Sequence, residues 1–130
     1  MSHWSTDSVF YHIYPLGFCG APEYNDFGQP VQRLEQLHDW IPHLKELGVN
    51  ALYLGPVFQS VKHGYDTADY FQIDCRLGDN ASFAKLCQQL HENGIRVVLD
   101  GVFNTSSEME LTACFSTSSA IPKALAKVIF

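Results

Sequence analysis

Apolar positions along this chain switch between two rhythms. Val9-Phe10-Tyr11-His12-Ile13-Tyr14 is β-branched and aromatic and is stopped by Pro15 and Gly17, which predicts a strand. Residues 19–30 hold Gly20, Pro22, Asn25, Asp26, Gly28 and Pro30, the chemistry of a loop. Val31, Leu34, Leu37, Ile41, Leu44 and Leu47 then recur every three or four positions, as one stripe of a helix does. Gly48 suits the left-handed residue that ends such a helix, and Pro42 predicts a kink or a fresh start near Asp39. Val49-Asn50-Ala51-Leu52-Tyr53-Leu54, closed by Gly55-Pro56, reads as a strand covered on both faces. Residues 55–80 read as a long polar connection. Phe83, Leu86, Cys87 and Leu90 predict a second helix, with Asn80 or Ser82 as N-cap and Asn93-Gly94 as its stop. Ile95-Arg96-Val97-Val98-Leu99 reads as a third strand, ending at Asp100.

Strands joined through helices run parallel with the helices outside the sheet, so the fold class is parallel α/β. Periodicity alone leaves open a piece of a (β/α)8 barrel or a doubly wound sheet. Of the 130 residues 46% are hydrophobic and 17% charged, an ordinary globular profile. The net charge of −6 argues against a nucleic-acid groove and against an anionic membrane surface. No apolar run reaches the ~20 residues of a spanning helix, and residues 1–7 show no secretory pattern. Cys19, Cys75, Cys87 and Cys114 form no CxxC pair, and Cys87 falls on the apolar side of its helix. Reduced thiols in a cytoplasmic protein are the expectation.

In either architecture reactive groups gather beyond the carboxyl ends of the strands. The chain places Tyr14, Pro15 and Gly17 after its first strand and His63-Gly64-Tyr65-Asp66, with Asp69, Tyr70 and Asp74, after its second. The third ends in Asp100-Gly101-Val102-Phe103-Asn104. Asp66 and Asp100 could supply the carboxyl pair of a sugar hydrolase. Against this, an aspartate ending a buried strand more often bonds backbone amides than performs catalysis. Tyr65 suits a sugar platform and mere packing equally. His63 has no second His or Cys at ligand spacing, and His38 and His91 read as surface or helix-end residues. A GxGxxG motif, a P-loop and a GxSxG elbow are all missing.

Four stretches carry a family resemblance. Phe10 to Pro15, Leu47 to Phe58, His63-Gly64-Tyr65-Asp66-Thr67-Ala68-Asp69-Tyr70-Phe71-Gln72-Ile73-Asp74, and Gly94 to Asn104 resemble, in order, the opening strand, second strand, following loop and first signature region of the α-amylase family of glycoside hydrolases. The likeness covers roughly residues 8–104 and is closest to the neopullulanase, cyclomaltodextrinase and α-glucosidase-like branches. It implies the N-terminal part of a (β/α)8 TIM barrel, three strands and two helices in residues 1–104, acting with retention on α-glucosidic bonds of maltooligosaccharides or related α-glucans. It implies substrate binding by Tyr65, stacked on a sugar, and by Asp66 beside it. It gives Asp100 the role of holding active-site geometry. Asn104 is the position that binds calcium in many relatives, although the loop at 16–28 lacks a clear run of oxygen ligands. No other cofactor is implied.

The match breaks after Asn104. Thr105 stands where the family has a substrate-contacting histidine, and a threonine hydroxyl neither reaches as far nor becomes cationic. Residues 105–130 read as an unrelated tail, expected to be frameshifted or disordered. The family's nucleophile and acid/base belong to later strands, so no residue here is assigned to catalysis, and the chain alone is expected to be inactive. The alternatives are one half of a split glycosidase that docks with a complementary barrel chain, or a weak glucan-binding scaffold piece.

Overall fold

The computed structural model describes residues 4–100. After a 3-10 turn at Trp4–Asp7 come β1 (Phe10–Ile13), a one-turn helix α1 (Pro15–Phe18) and the long helix α2 (Glu35–Glu46). Then follow β2 (Ala51–Leu54), β3 (Phe58–Ser60), β4 (Thr67–Ile73), α3 (Asn80–Glu92) and β5 (Arg96–Leu99). The strands β1, β2 and β5 form one parallel sheet with β2 in the middle. The three strands and two principal helices expected from the apolar rhythms are therefore present.

Register explains which side of that sheet is packed. Tyr11, Leu52 and Val97 stand side by side, as do Ile13, Leu54 and Leu99. All six belong to or line the core that Leu37, Ile41 and Leu44 of α2 and Phe83, Leu86, Cys87 and Leu90 of α3 complete. The alternate rows, Phe10–Ala51–Arg96 and His12–Tyr53–Val98, point the other way because pleating reverses successive side chains. Phe10, His12 and Arg96 on that second face are exposed. β2 reads from its composition as covered on both faces; Leu52 and Leu54 on the helix side and Ala51 on the other are buried, and Tyr53 is half-buried.

Three local expectations need correction. α2 is one helix that runs through Pro42 rather than restarting near Asp39. It begins at Glu35 and its C-cap is Leu47, so Val31 and Leu47, the two ends of the expected stripe, are 48% and 51% exposed. Gly48 does follow the C-cap with φ 75°, as its position predicts. The N-cap of α3 is Asp79, ahead of both expected residues. Its carboxylate accepts from the Ser82 amide at 2.8 Å while the Ser82 hydroxyl receives the Asp79 amide at 3.0 Å, a reciprocal capping box.

The expected connection at 55–80 contains a sheet. β3 and β4 pair antiparallel, with register shifts on both sides of Gln59. What holds this hairpin is polar and buried. Asp74 and Arg76 are 0% and 3% exposed. Arg76 grips Asp74 in a fork, Nε to Oδ1 at 3.0 Å and Nη2 to Oδ2 at 2.9 Å. Asp74 also accepts from the Ser60 amide and hydroxyl at 3.1 and 3.0 Å. Arg76 Nη1 reaches the carbonyls of Pro22, Glu23 and Lys62 at 2.8, 3.1 and 2.7 Å. Asn25 completes the cluster, donating to Gln59 Oε1 at 3.0 Å and to the Ser60 carbonyl at 2.7 Å. A buried charge is tolerated when paired and fully hydrogen-bonded, as this one is.

Candidate sugar-binding site

The carboxyl ends of β1, β2 and β5 bring together Tyr14, Gly55-Pro56 and Asp100. Main-chain bonds lock the ends in step: the Gly55 amide donates to the Ile13 carbonyl at 2.8 Å and the Asp100 amide to the Leu54 carbonyl at 3.1 Å. The loop 63–66 lies over this edge. The Tyr14 hydroxyl donates to the His63 carbonyl at 2.6 Å, and the Tyr14 ring fits between Gly17 and Gly55. The loop also folds on itself. Asp66 Oδ1 accepts from the Gly64 amide at 3.2 Å, and His63 Nδ1 accepts from the Tyr65 amide at 3.2 Å. That last bond requires the neutral imidazole with its proton on Nε2. His63 Nδ1 stands 3.7 Å from Asp66 Oδ1.

Tyr65 is 45% exposed. Its pKa is raised, chiefly by the neighbouring Asp100 carboxylate and then by burial. For Tyr53 burial is the larger cause, with Asp100 adding to it. Tyr14 is raised chiefly by burial; Arg76 opposes this, and the charges of Asp66 and Asp74 add to it. All three phenols are thus held neutral and able to donate across the ordinary pH range.

Tyr65, Asp66 and Asp100 therefore meet at one end of the sheet. The charge of Asp100 is felt by both Tyr53 and Tyr65, whose pKa values it raises. Asn104, Thr105 and the tail at 105–130 lie outside the described residues, as does Cys114. Among the described residues no three His, Cys, Asp or Glu side chains gather to hold a metal ion. Cys19, Cys75 and Cys87 are free and buried, and burial pushes the Cys19 and Cys87 thiols up to about 11 and about 12. No described helix is long and apolar enough to cross a membrane.

Three contributors to this site escape a reading by motif. Tyr53 is the one polar side chain in an apolar strand, a visible signal whose partner depends on register. Arg76 interrupts the apolar positions Ile73, Cys75 and Leu77, and Asn25 sits in what reads as an ordinary turn.

Comparison with known proteins places this sheet and its loops in a family. The α-amylase catalytic-domain model matches residues 13–124, a span that passes Asn104. A cyclomaltodextrinase from a Bacillus species is 40% identical over 121 residues, covering 79% of this chain and 21% of that protein. Neopullulanase 2 of Thermoactinomyces vulgaris is 36% identical over 121 residues, covering 81% and 21%. The ligand-free structure of a cyclic α-maltosyl-(1→6)-maltose hydrolase from Arthrobacter globiformis superposes with a TM-score of 0.63 at 35% identity, over 78% of this chain and 26% of that one. The chain spans about a fifth of the length of the curated relatives it matches. With the parallel sheet, the loop 63–66 and the model match in agreement, this chain belongs to the α-amylase catalytic-domain family.

Proposed function

We infer that these residues form the opening part of a (β/α)8 barrel in an α-glucan glycosidase, and that they supply its sugar-holding wall. The observation that carries the reading is Tyr65, 45% exposed in a loop beyond the carboxyl ends of the strands, with Asp66 next to it in the chain. In this reading the ring covers the apolar face of a glucose unit, Asp66 accepts from its hydroxyls, and Asp100 holds the arrangement without attacking the substrate. Maltooligosaccharides are the ligand class. The buried thiols accord with a cytoplasmic setting.

The chemical step lies with groups outside residues 4–100. Retaining hydrolysis needs a nucleophilic carboxylate and an acid/base carboxyl about 5–5.5 Å apart. The 130-residue polypeptide by itself is thus expected to bind maltotriose weakly and to leave it uncut. Titration with maltotriose, followed by tyrosine ring resonances, tests this: saturable shifts at Tyr65 that disappear in Tyr65→Ala support the reading, and a flat response into high millimolar sugar refutes it. Hydrolysis by the purified chain that is lost in an identically purified Asp100→Asn control would overturn the inactivity.

A second reading is a split glycosidase. Among the described residues β5 lies at one edge of the sheet, and Phe10, His12 and Arg96 are exposed. A second chain carrying the remaining strands could pair there. Co-expression with the later part of a related barrel should yield a stable complex with activity; two chains that stay apart on gel filtration would remove this reading.

A further inference from the structure

At several turns of this chain an amide is capped by the side chain two residues before it. Asn25 receives the Phe27 amide at 2.8 Å, Asp26 the Gly28 amide at 2.9 Å and Asp69 the Phe71 amide at 2.8 Å. Asparagine and aspartate suit this bond because their short side chains present an oxygen acceptor. In the loop 63–66 a histidine takes that place, its Nδ1 receiving the Tyr65 amide at 3.2 Å. An imidazole nitrogen accepts only while it carries no proton, and in the cation both ring nitrogens are donors. The turn that carries Tyr65 is therefore one that a proton breaks.

The same proton gives His63 another partner. Asp66 Oδ1 stands 3.7 Å from Nδ1 and receives the Gly64 amide at 3.2 Å. Tyr14, Glu23, Lys62 and Arg76 line the hollow beside His63. Lys62 pairs with Glu23 at 2.8 Å and Arg76 with Asp74 at 2.9 Å, while the Tyr14 hydroxyl holds the His63 carbonyl. Among the described residues Asp66 is the carboxylate within ion-pair reach of the imidazole. The His63 side chain is 57% exposed and has room to turn, whereas its main chain is pinned by Tyr14. A single amide bond and an exposed ion pair are each worth only severalfold in an equilibrium constant. Neither arrangement overwhelms the other, so the proton decides between them.

We propose that His63 is a pH-sensitive positioning residue of the sugar-holding loop: neutral, it fixes the Tyr65 main chain; protonated, it releases that amide and pairs with Asp66. Acid then loosens the ring and engages the carboxylate that receives sugar hydroxyls. The effect on binding rests on the reading of Tyr65 and Asp66 as sugar contacts; the change within the loop does not.

The test uses the full chain labelled with 15N, and with 13C in the histidine rings. Between pH 8 and pH 5, where imidazoles titrate, the Gly64 and Tyr65 amide resonances are expected to move with the midpoint of the His63 ring. Maltotriose affinity is expected to fall about fivefold over that range. In His63→Asn both amides should stay still and affinity should keep the parent's pH 8 value throughout, because the asparagine oxygen still caps Tyr65. His63→Ala lacks the cap, and its affinity should be about fivefold low at both pH values. Amides at Gly64 and Tyr65 that ignore the His63 midpoint, or a pH dependence that survives in His63→Asn, would overturn the proposal. If the unaltered chain gives no response to maltotriose at either pH, the sugar reading fails by itself. The two amides still decide the change within the loop.

Discussion

The Tyr14 hydroxyl donates to the His63 carbonyl across 2.6 Å, tying the end of β1 to the loop that carries Tyr65 and Asp66. The neighbouring glycines make room for it: a Cβ at Gly17 or Gly55 would come within 2.9 or 3.2 Å of the Tyr14 ring. Tyr14→Phe removes the tie without changing the shape. Maltotriose affinity should fall about fivefold with little loss of stability, as for one hydrogen bond of ordinary strength. Calorimetric titration measures this, and an unchanged Kd would show that the loop holds itself.

Gly64 presses the same loop onto the sheet. Its φ is 94°, and a Cβ there would lie 2.8 Å from Pro56 Cβ. Gly64→Ala should therefore cost about 1–3 kcal/mol in urea denaturation, through backbone strain plus collision. Gly48→Ala is the control, since φ is 75° but no atom lies within 4 Å of the added carbon. Equal losses in the two variants would mean that contact with Pro56 contributes nothing.

Arg76→Met would leave the Asp74 carboxylate buried without its charged partner. Removing one member of a buried pair costs about 3–5 kcal/mol, so this variant should be the least stable of those named here. It should also release the loops at 22–23 and 60–62, visible as faster amide exchange at Asn25 and Ser60. A loss below about 1 kcal/mol would contradict the burial and fork geometry described above.

Asp79→Ala removes half of the capping box and should cost about 0.5–2 kcal/mol. The cap is also sensitive to acid. The Ser82 amide, the largest cause, holds the Asp79 carboxyl below its ordinary value of 3.8; partial burial opposes this, and bonds from the Ser82 and Gln32 side chains add to the lowering. A depressed carboxyl contributes its stability above the unfolded pKa and loses it as pH falls through the folded value. The difference between parent and Asp79→Ala should thus be full at pH 5 and shrink below about pH 3.8, which denaturation at a series of pH values would reveal.

Alkali should act in the opposite sense. Of the six tyrosines, Tyr14, Tyr53 and Tyr65 have raised values. In the unfolded chain all six ionise near pH 10, whereas the folded chain keeps these three protonated. Stability from the neutral phenols is present below pH 10 and declines as pH rises beyond it. Absorbance at the phenolate band should show titration of the folded chain extending above that of the chain in denaturant. Identical titrations of the folded and denatured chain would count against the raised values of these three phenols.

The helices were legible because their packing is apolar and periodic. Leu34, Leu37, Ile41 and Leu44 repeat at helical spacing and all are buried. The ends were less so: Val31 and Leu47 continue the rhythm but lie outside Glu35–Glu46. The β3–β4 hairpin escaped because its register shifts erase the two-residue alternation, and because Gln59, Ser60 and Asp74 carry its interior. Those residue types ordinarily mark loops. Tyr65, Asp66 and Asp100 stood out through motif, whereas the stacking of His12 on Tyr53 depends on strand register, which β2 alone does not encode. The α3 cap was missed for a simpler reason: Asp79 precedes the residues from which the helix periodicity starts.

The grip of Arg76 on three carbonyls has a consequence for how this scaffold can be altered. Pro22, Glu23 and Lys62 must each arrive at one guanidinium at hydrogen-bond distance, so their loops are closed to insertion or deletion at those points. Residues 26–30 are exposed and held mainly by short-range turns such as the Gly28 amide on Asp26. Length variation and grafted specificity elements belong at 28–30, because the Phe27 amide still bonds to Asn25 of the buried cluster.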